Sequence, residues 1–90
     1  MNQELQVSHN LQQQSFEVLV DGHRAHLDYK RLPDGRLDYC HTFVPDQLRG
    51  RGIAAVLTRA ALDYASAEGL EVVPSCSYVE VFIRRQQQGS

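Results

Sequence analysis

The chain predicts an α+β fold with an α/β-type crossover: an antiparallel meander, a crossover helix, a splayed parallel strand and a short C-terminal helix. Three observations carry that expectation. Apolar and polar residues alternate through the first half, the period of half-buried strands. Ile53, Val56, Leu57, Ala60, Tyr64 and Ala65 then recur at helical spacing. A short apolar run at residues 70–73 follows that helix, as a crossover return to a parallel strand would. Residues 1–90 read as one domain, with a core at about residues 5–85.

Taken in order, a short edge strand is expected near residues 5–8, and the glutamines from Gln12 form a loop. Residues 16–20 are a strand, and Asp21 with Gly22 is the strongest hairpin signal in the chain, because both residues tolerate positive φ. The returning strand places Ala25, Leu27 and Tyr29 on one face and His26, Asp28 and Lys30 on the other. Pro33, Asp34 and Gly35 make a second turn. Residues 36–44 follow as a strand with Leu37, Tyr39, His41 and Phe43 on one face and Asp38, Cys40, Thr42 and Val44 on the other. Pro45 and Asp46 end it. The helix spans residues 51–68 with Gly69 as its stop. Pro74 breaks the next strand, and Ser75 or Ser77 caps a last turn or two of helix carrying Val79, Phe82 and Ile83.

Composition narrows the functional classes. Apolar residues at 42% and charged residues at 22% are those of an ordinary globular protein, with no stretch long enough to cross a bilayer and no leader pattern at Met1. The expected compartment is the cytoplasm. There Cys40 and Cys76 are expected as free thiols, since nothing marks the chain as secreted. A net charge of -2 argues against a protein that coats nucleic acid. His23 and His26 are three apart on a strand and face opposite ways, and no Cys-x-x-Cys or His-x-x-x-His pair exists, so no metal is expected. Asp21, Asp34 and Asp46 lie in or beside turns and read as structural.

The chemistry-bearing segment is the junction from His41 and Thr42, through Phe43 and Val44, to Gln47, Arg49, Gly50, Arg51, Gly52, Ile53 and Ala54. A glycine-opened helix start exposes unpaired backbone N–H groups and a partial positive charge, and arginines beside it add forked donors, so this is where a phosphate can be held. Alone, a Gly-x-Gly turn of this kind is also an ordinary conformational device.

Gln47, Gly50 and Gly52, in Gln-x-x-Gly-x-Gly spacing between a strand and an amphipathic helix, resemble the acetyl-CoA signature of the GNAT acetyltransferase superfamily. With Pro74, Cys76 and Tyr78 in Pro-x-Cys-x-Tyr spacing, the chain is similar to the very short, single-domain members of that superfamily. It departs from them after Arg85, where they continue with a His-Pro-type segment and this chain reads Gln86, Gln87 and Gln88. The resemblance implies a minimal GNAT-like fold and an N-acetyltransferase moving an acetyl group from acetyl-CoA to an amine. It implies pyrophosphate at the Gly50 and Gly52 backbone and the pantetheine arm along the main chain of Phe43 and Val44. Cys76 would carry the acetyl group, His41 would be a general base for Cys76 or for the amine, and Tyr78 would protonate the departing CoA thiolate. Each has a plainer reading as a packed core residue. The partners implied are acetyl-CoA and an amine acceptor, small molecule or protein, with no nucleic acid or membrane and the chain a monomer. Larger relatives wrap the acceptor with helices between their first strands, for which the hairpin at Asp21 and Gly22 leaves no room. The alternative is a non-enzymatic module that binds or senses acetyl-CoA.

Overall fold

A computed structural model describes residues 5–88. Its five strands are β1 (Ser8–Asn10), β2 (Ser15–Val20), β3 (His23–Arg31), β4 (Leu37–Phe43) and β5 (Val72–Val73). The helices are α1 (Ile53–Glu68) and α2 (Ser77–Gln88), and a single 3-10 turn at Asp46–Leu48 precedes α1. The sheet order is β1-β2-β3-β4-β5, antiparallel through β4 and parallel between β4 and β5. The expected meander, crossover and parallel return are therefore present. The first strand lies slightly later than residues 5–8, where Ser8 opposes Glu17 and Asn10 opposes Ser15.

Local chemistry explains each boundary. Asp21 and Gly22 have φ of 52° and 79°, so both central positions of the β2–β3 turn are left-handed, which matches the twist of the flanking strands. At Asp34 the carboxylate accepts the Arg36 amide N–H at 3.1 Å and closes the β3–β4 turn. Gly69 adopts φ 68° and ends α1, its N–H bonding the Ala65 and Ser66 carbonyls. Helix α2 runs to Gln88, longer than one or two turns, because the glutamines favour helix as readily as loop. Neither serine caps it. Cys76 occupies that position, its carbonyl accepting the Glu80 N–H at 3.0 Å.

Phe16, Val18, Ala25, Leu27, Tyr29, Leu37 and Tyr39 from the sheet, with Leu48, Ile53, Leu57, Ala61 and Ala65, form one core closed by Val79 of α2. Each fully buried Leu or Ile side chain contributes roughly 1.5–3 kcal/mol relative to exposure. At one end His9 stacks on Phe16 with centroids 4.2 Å apart, meets Tyr64 edge-on at 4.4 Å and bonds the Tyr29 hydroxyl at 2.7 Å. Near the middle the Tyr39 hydroxyl donates to the Ala61 carbonyl, tying β4 to α1.

The strand faces depart from strict alternation in β4. Asp28 opposes His41 but Tyr29 opposes Tyr39, so Cys40 is an extra residue, a β-bulge. Before it, Leu37 and Tyr39 face α1 and are buried. Beyond it, Thr42 opposes the buried Leu27, while His41 and Phe43 oppose Asp28 and His26 on the other face. The expectation that His41 and Phe43 share a face with Tyr39 is thus corrected: the added residue reverses the alternation, and both side chains are exposed.

Two outcomes follow for stability. Tyr39→Phe keeps the ring packing but loses the bond to Ala61, so urea denaturation should show a loss of about 1 kcal/mol. Burial lowers the pKa of His9 below its ordinary value, so the unfolded chain takes up a proton there before the folded one does. That contribution to stability is complete above about pH 6.5 and is lost as pH falls through the folded value. Denaturation midpoints measured from pH 7.5 down to 5 should therefore fall, with a shallower slope in His9→Gln.

Candidate active site

Strands β4 and β5 pair only at Leu37 with Val72 and Asp38 with Val73, and then part. Pro74 follows β5, and in this register the donor that would continue the ladder is the Ser75 N–H. The chain turns there, with the Ser75 N–H on the Val73 carbonyl at 3.1 Å, and the Cys76 N–H takes the Tyr39 carbonyl at 2.9 Å. Beyond that bond a groove of about 530 Å³ opens, lined by Cys40, His41, Thr42 and Val44 of the β4 side and by Ser75, Cys76, Ser77 and Tyr78 of the β5–α2 side, with Arg49 and Ala54 at its end. A smaller hollow of about 170 Å³ shares Val44, Arg49, Ala54 and Tyr78 with it and adds Leu48, Gly50, Gly52, Ile53 and Ala55. The two form one path from Cys76 to the start of α1.

That helix start is built to leave donors open. Gly52 is the N-cap with φ 73°, and no side chain caps the helix. The first intrahelical bond is the Val56 N–H to the Gly52 carbonyl at 3.1 Å, which leaves the N–H groups of the first turn without intrahelical acceptors. Gly50 is also left-handed, at φ 83°, and a Cβ at either glycine would meet nothing within 4 Å. Backbone conformation, then, is what requires glycine here.

Cys76 sits at the other end of the path. Its Sγ lies 3.4 Å from the Thr42 hydroxyl oxygen. Burial pushes its thiol up, but hydrogen bonds from the Thr42 hydroxyl and from the backbone N–H groups of Val79, Tyr78 and Thr42 outweigh that, leaving the pKa below the ordinary thiol value. Cys40 differs. Burial, then the charge of Asp38, raises its pKa, and its Sγ lies 3.6 Å from the Asp28 carbonyl. Both cysteines are free thiols.

The other sequence-predicted site residues divide. Val44, Arg49, Gly50, Gly52, Ile53, Ala54 and Tyr78 line the path, with Ile53 otherwise buried in the core. Arg49 also pairs with Asp46 at 3.1 Å. Arg51 leans away from the path toward Asp21 of the hairpin, 3.8 Å off. Gln47 is exposed in the 3-10 turn and lines neither cavity. The Phe43 ring lies on the outer face, 5.6 Å from that of His26. His41 reaches the groove rim from that same face, its ring 6.1 Å from His26, whose Nδ1 is 2.8 Å from Asp28. The residue touching Cys76 is Thr42, which strand alternation had turned away from His41's face. No sequence signal reveals this, because the bulge at Cys40 carries neither Gly nor Pro. Among the described residues, no group of three or more His, Cys, Asp or Glu is arranged to hold a metal ion.

A crossover helix that starts at an uncapped glycine turn, beside parallel strands that separate, is the architecture of an N-acetyltransferase domain. Comparison with known proteins makes the assignment specific, since the family model for GCN5-related N-acetyl-transferase matches residues 15–89, and the chain belongs to that family. It is 38% identical over 82 residues to Protein NATD1 of Mus musculus, covering 89% of this chain and 74% of that protein. Protein NATD1 of Homo sapiens is 37% identical over 82 residues, with 89% and 73% covered, and that of Danio rerio 33% over the same length, with 89% and 74% covered.

The contrast between the two thiols gives a direct test. At pH 7.5 a limiting amount of iodoacetamide should alkylate Cys76 well ahead of Cys40, as read by peptide mass spectrometry. Equal labelling would contradict the described environments.

Proposed function

We propose that this domain binds acetyl-CoA along the path from α1 to Cys76 and transfers the acetyl group to an amine through an acetyl-Cys76 thioester. The observation that carries this reading is the Cys76 thiol, its pKa held below the ordinary thiol value by the Thr42 hydroxyl and by backbone donors at the start of α2, facing the groove where β4 and β5 part. The open N–H groups at the start of α1, with Arg49 beside them, suit the pyrophosphate. Along β4 the edge freed by β5 suits an extended, amide-bearing arm that pairs as a short strand would. Thr42 and Val44 line that edge, so the arm lies against their main chain, with Phe43 between them contributing backbone only.

In the first step the Cys76 thiolate attacks the acetyl carbonyl carbon, and the bond from that carbon to the CoA sulfur breaks. Tyr78, at the junction of groove and hollow, gives a proton to the leaving thiolate. In the second step the amine nitrogen attacks the thioester carbonyl and the Cys76 sulfur leaves as thiolate. His41, turned by the bulge to the exposed face, takes the proton from the incoming amine rather than from Cys76. The two-residue β2–β3 turn adds no cover over that face, which suits an exposed lysine or amino terminus of a partner protein. The same openness excludes water poorly and favours slow chemistry, which keeps the binding or sensing module as the second reading.

Intact-protein mass after incubation with acetyl-CoA, run beside calorimetric titration of CoA, tests the proposal. One acetyl adduct should form and should be absent in Cys76→Ala, which still binds CoA. Arg49→Ala should weaken CoA about 5- to 10-fold, the scale of one charge-assisted contact. Gly52→Ala should weaken it as much or more, since an alanine there is strained at φ 73°. Binding with neither adduct nor amine turnover would favour the sensing module, and absent binding would remove the acetyl-CoA reading.

A further inference from the structure

We infer that Thr42 is the positioning residue of the Cys76 thiolate: its hydroxyl, placed on the groove side of β4 by the bulge at Cys40, donates to Sγ and fixes the sulfur at the groove wall. The inference deepens the acetyl-Cys76 reading and rests on it for its catalytic meaning. The geometry itself stands apart from that reading.

Three observations converge. Thr42 Oγ1 lies 3.4 Å from Cys76 Sγ. The extra residue Cys40 makes Thr42 oppose Leu27 and His41 oppose Asp28, so the residue presented to Cys76 is a hydroxyl rather than an imidazole. The Cys76 N–H is anchored on the Tyr39 carbonyl at 2.9 Å, so the sulfur and the hydroxyl hang from two backbones that are themselves bonded together. A half-buried strand position would be filled as well by Val, which has the same shape. What the hydroxyl adds is a donor, and the atom it meets is the sulfur.

Thr42 thereby acts on both halves of a thioester cycle. A hydroxyl donating to sulfur favours the thiolate over the thiol, which raises the fraction of attacking nucleophile at neutral pH. It also favours the thiolate over the thioester, whose sulfur bears no charge, so Cys76 becomes the better leaving group when the amine attacks. The other titratable or charged groups around the groove are Cys40 and His41 from β4, Arg49 from the turn before α1, and Tyr78 from α2.

The test is the pH dependence of iodoacetamide alkylation, measured on a Cys40→Ser background so that only the Cys76 thiol reacts. Thr42→Val should move the midpoint of the rate profile upward by roughly one pH unit and slow alkylation at pH 7 up to about tenfold, a shift equivalent to one hydrogen bond to a charged group. Thr42→Ser, which keeps the hydroxyl, should restore the parent profile within about twofold, whereas a purely structural role for the methyl group would leave Ser impaired. Circular dichroism and thermal melting confirm that the variants compared are folded. A Thr42→Val profile that superimposes on the parent, above all with the shift appearing in His41→Gln instead, overturns the inference. Because alkylation needs no acetyl-CoA, a missing acetyl adduct in the parent protein counts against the acetyl-Cys76 reading alone, and an unmoved profile counts against Thr42 alone.

Discussion

The carbonyl of Tyr39 accepts the amide N–H of Cys76, and much of the site depends on that one bond. Tyr39 is fully buried, its ring packs edge-on against Phe16 and Tyr29, and its hydroxyl is held by Ala61 of α1. Burial pushes the phenol far above its ordinary pKa, so it is a neutral donor at neutral pH. One residue thus fixes β4 to α1 through its side chain and to the start of α2 through its backbone. Its neighbour in sequence is the bulge. A rigid point therefore lies immediately beside the place where the strand changes face, and Thr42 and Cys76 inherit their relative position from it.

Parting of β4 and β5 has two causes, one on each strand. On the β5 side the donor that would continue the ladder is the Ser75 N–H, and it turns back onto the Val73 carbonyl, which carries the chain out of the sheet. On the β4 side the extra residue bends the strand and raises its local twist. Neither device is costly alone, because backbone groups displaced from the ladder at the junction find another use. The Tyr39 carbonyl takes the Cys76 N–H, and the Thr42 N–H takes the Cys76 sulfur. Beyond these bonds the β4 edge that faces the groove has no β5 partner.

How much of this was legible in the sequence depends on whether the cause was local. The hairpin at Asp21 and Gly22, the glycine start and stop of α1 and the break at Pro74 are written in residues with special backbone preferences, and all appear where the pattern put them. The glycine turn, Arg49, Cys76 and Tyr78 were likewise readable, and the path brings them together. The face of His41 was not. A bulge of ordinary residues follows from how Tyr39 and Thr42 pack at the same time against α1, β3 and the start of α2, a tertiary balance that period-two alternation cannot encode. For the same reason Arg51 looked like a second phosphate ligand: nothing in the turn itself says that Asp21, thirty residues earlier, lies beside it.

The choice of cysteine at position 76 bears on what the groove is for. As an N-cap, Cys76 receives backbone N–H groups on its side chain, a task that oxygen performs better than sulfur, and serines stand on either side of it. A neutral thiol accepts hydrogen bonds weakly, so these donors gain full strength only when the sulfur is ionised. Capping alone thus gives little reason to use sulfur at this point, whereas stabilising a thiolate gives a direct one. The cost is burial, which acts against the charge and limits how far the pKa can fall. That limit has a chemical use, since a thiolate stabilised too far loses nucleophilicity along with its proton affinity. Partial burial opposed by the Thr42 hydroxyl and a helix start lowers the thiol pKa while limiting how far it falls, the balance that the proposed nucleophile needs.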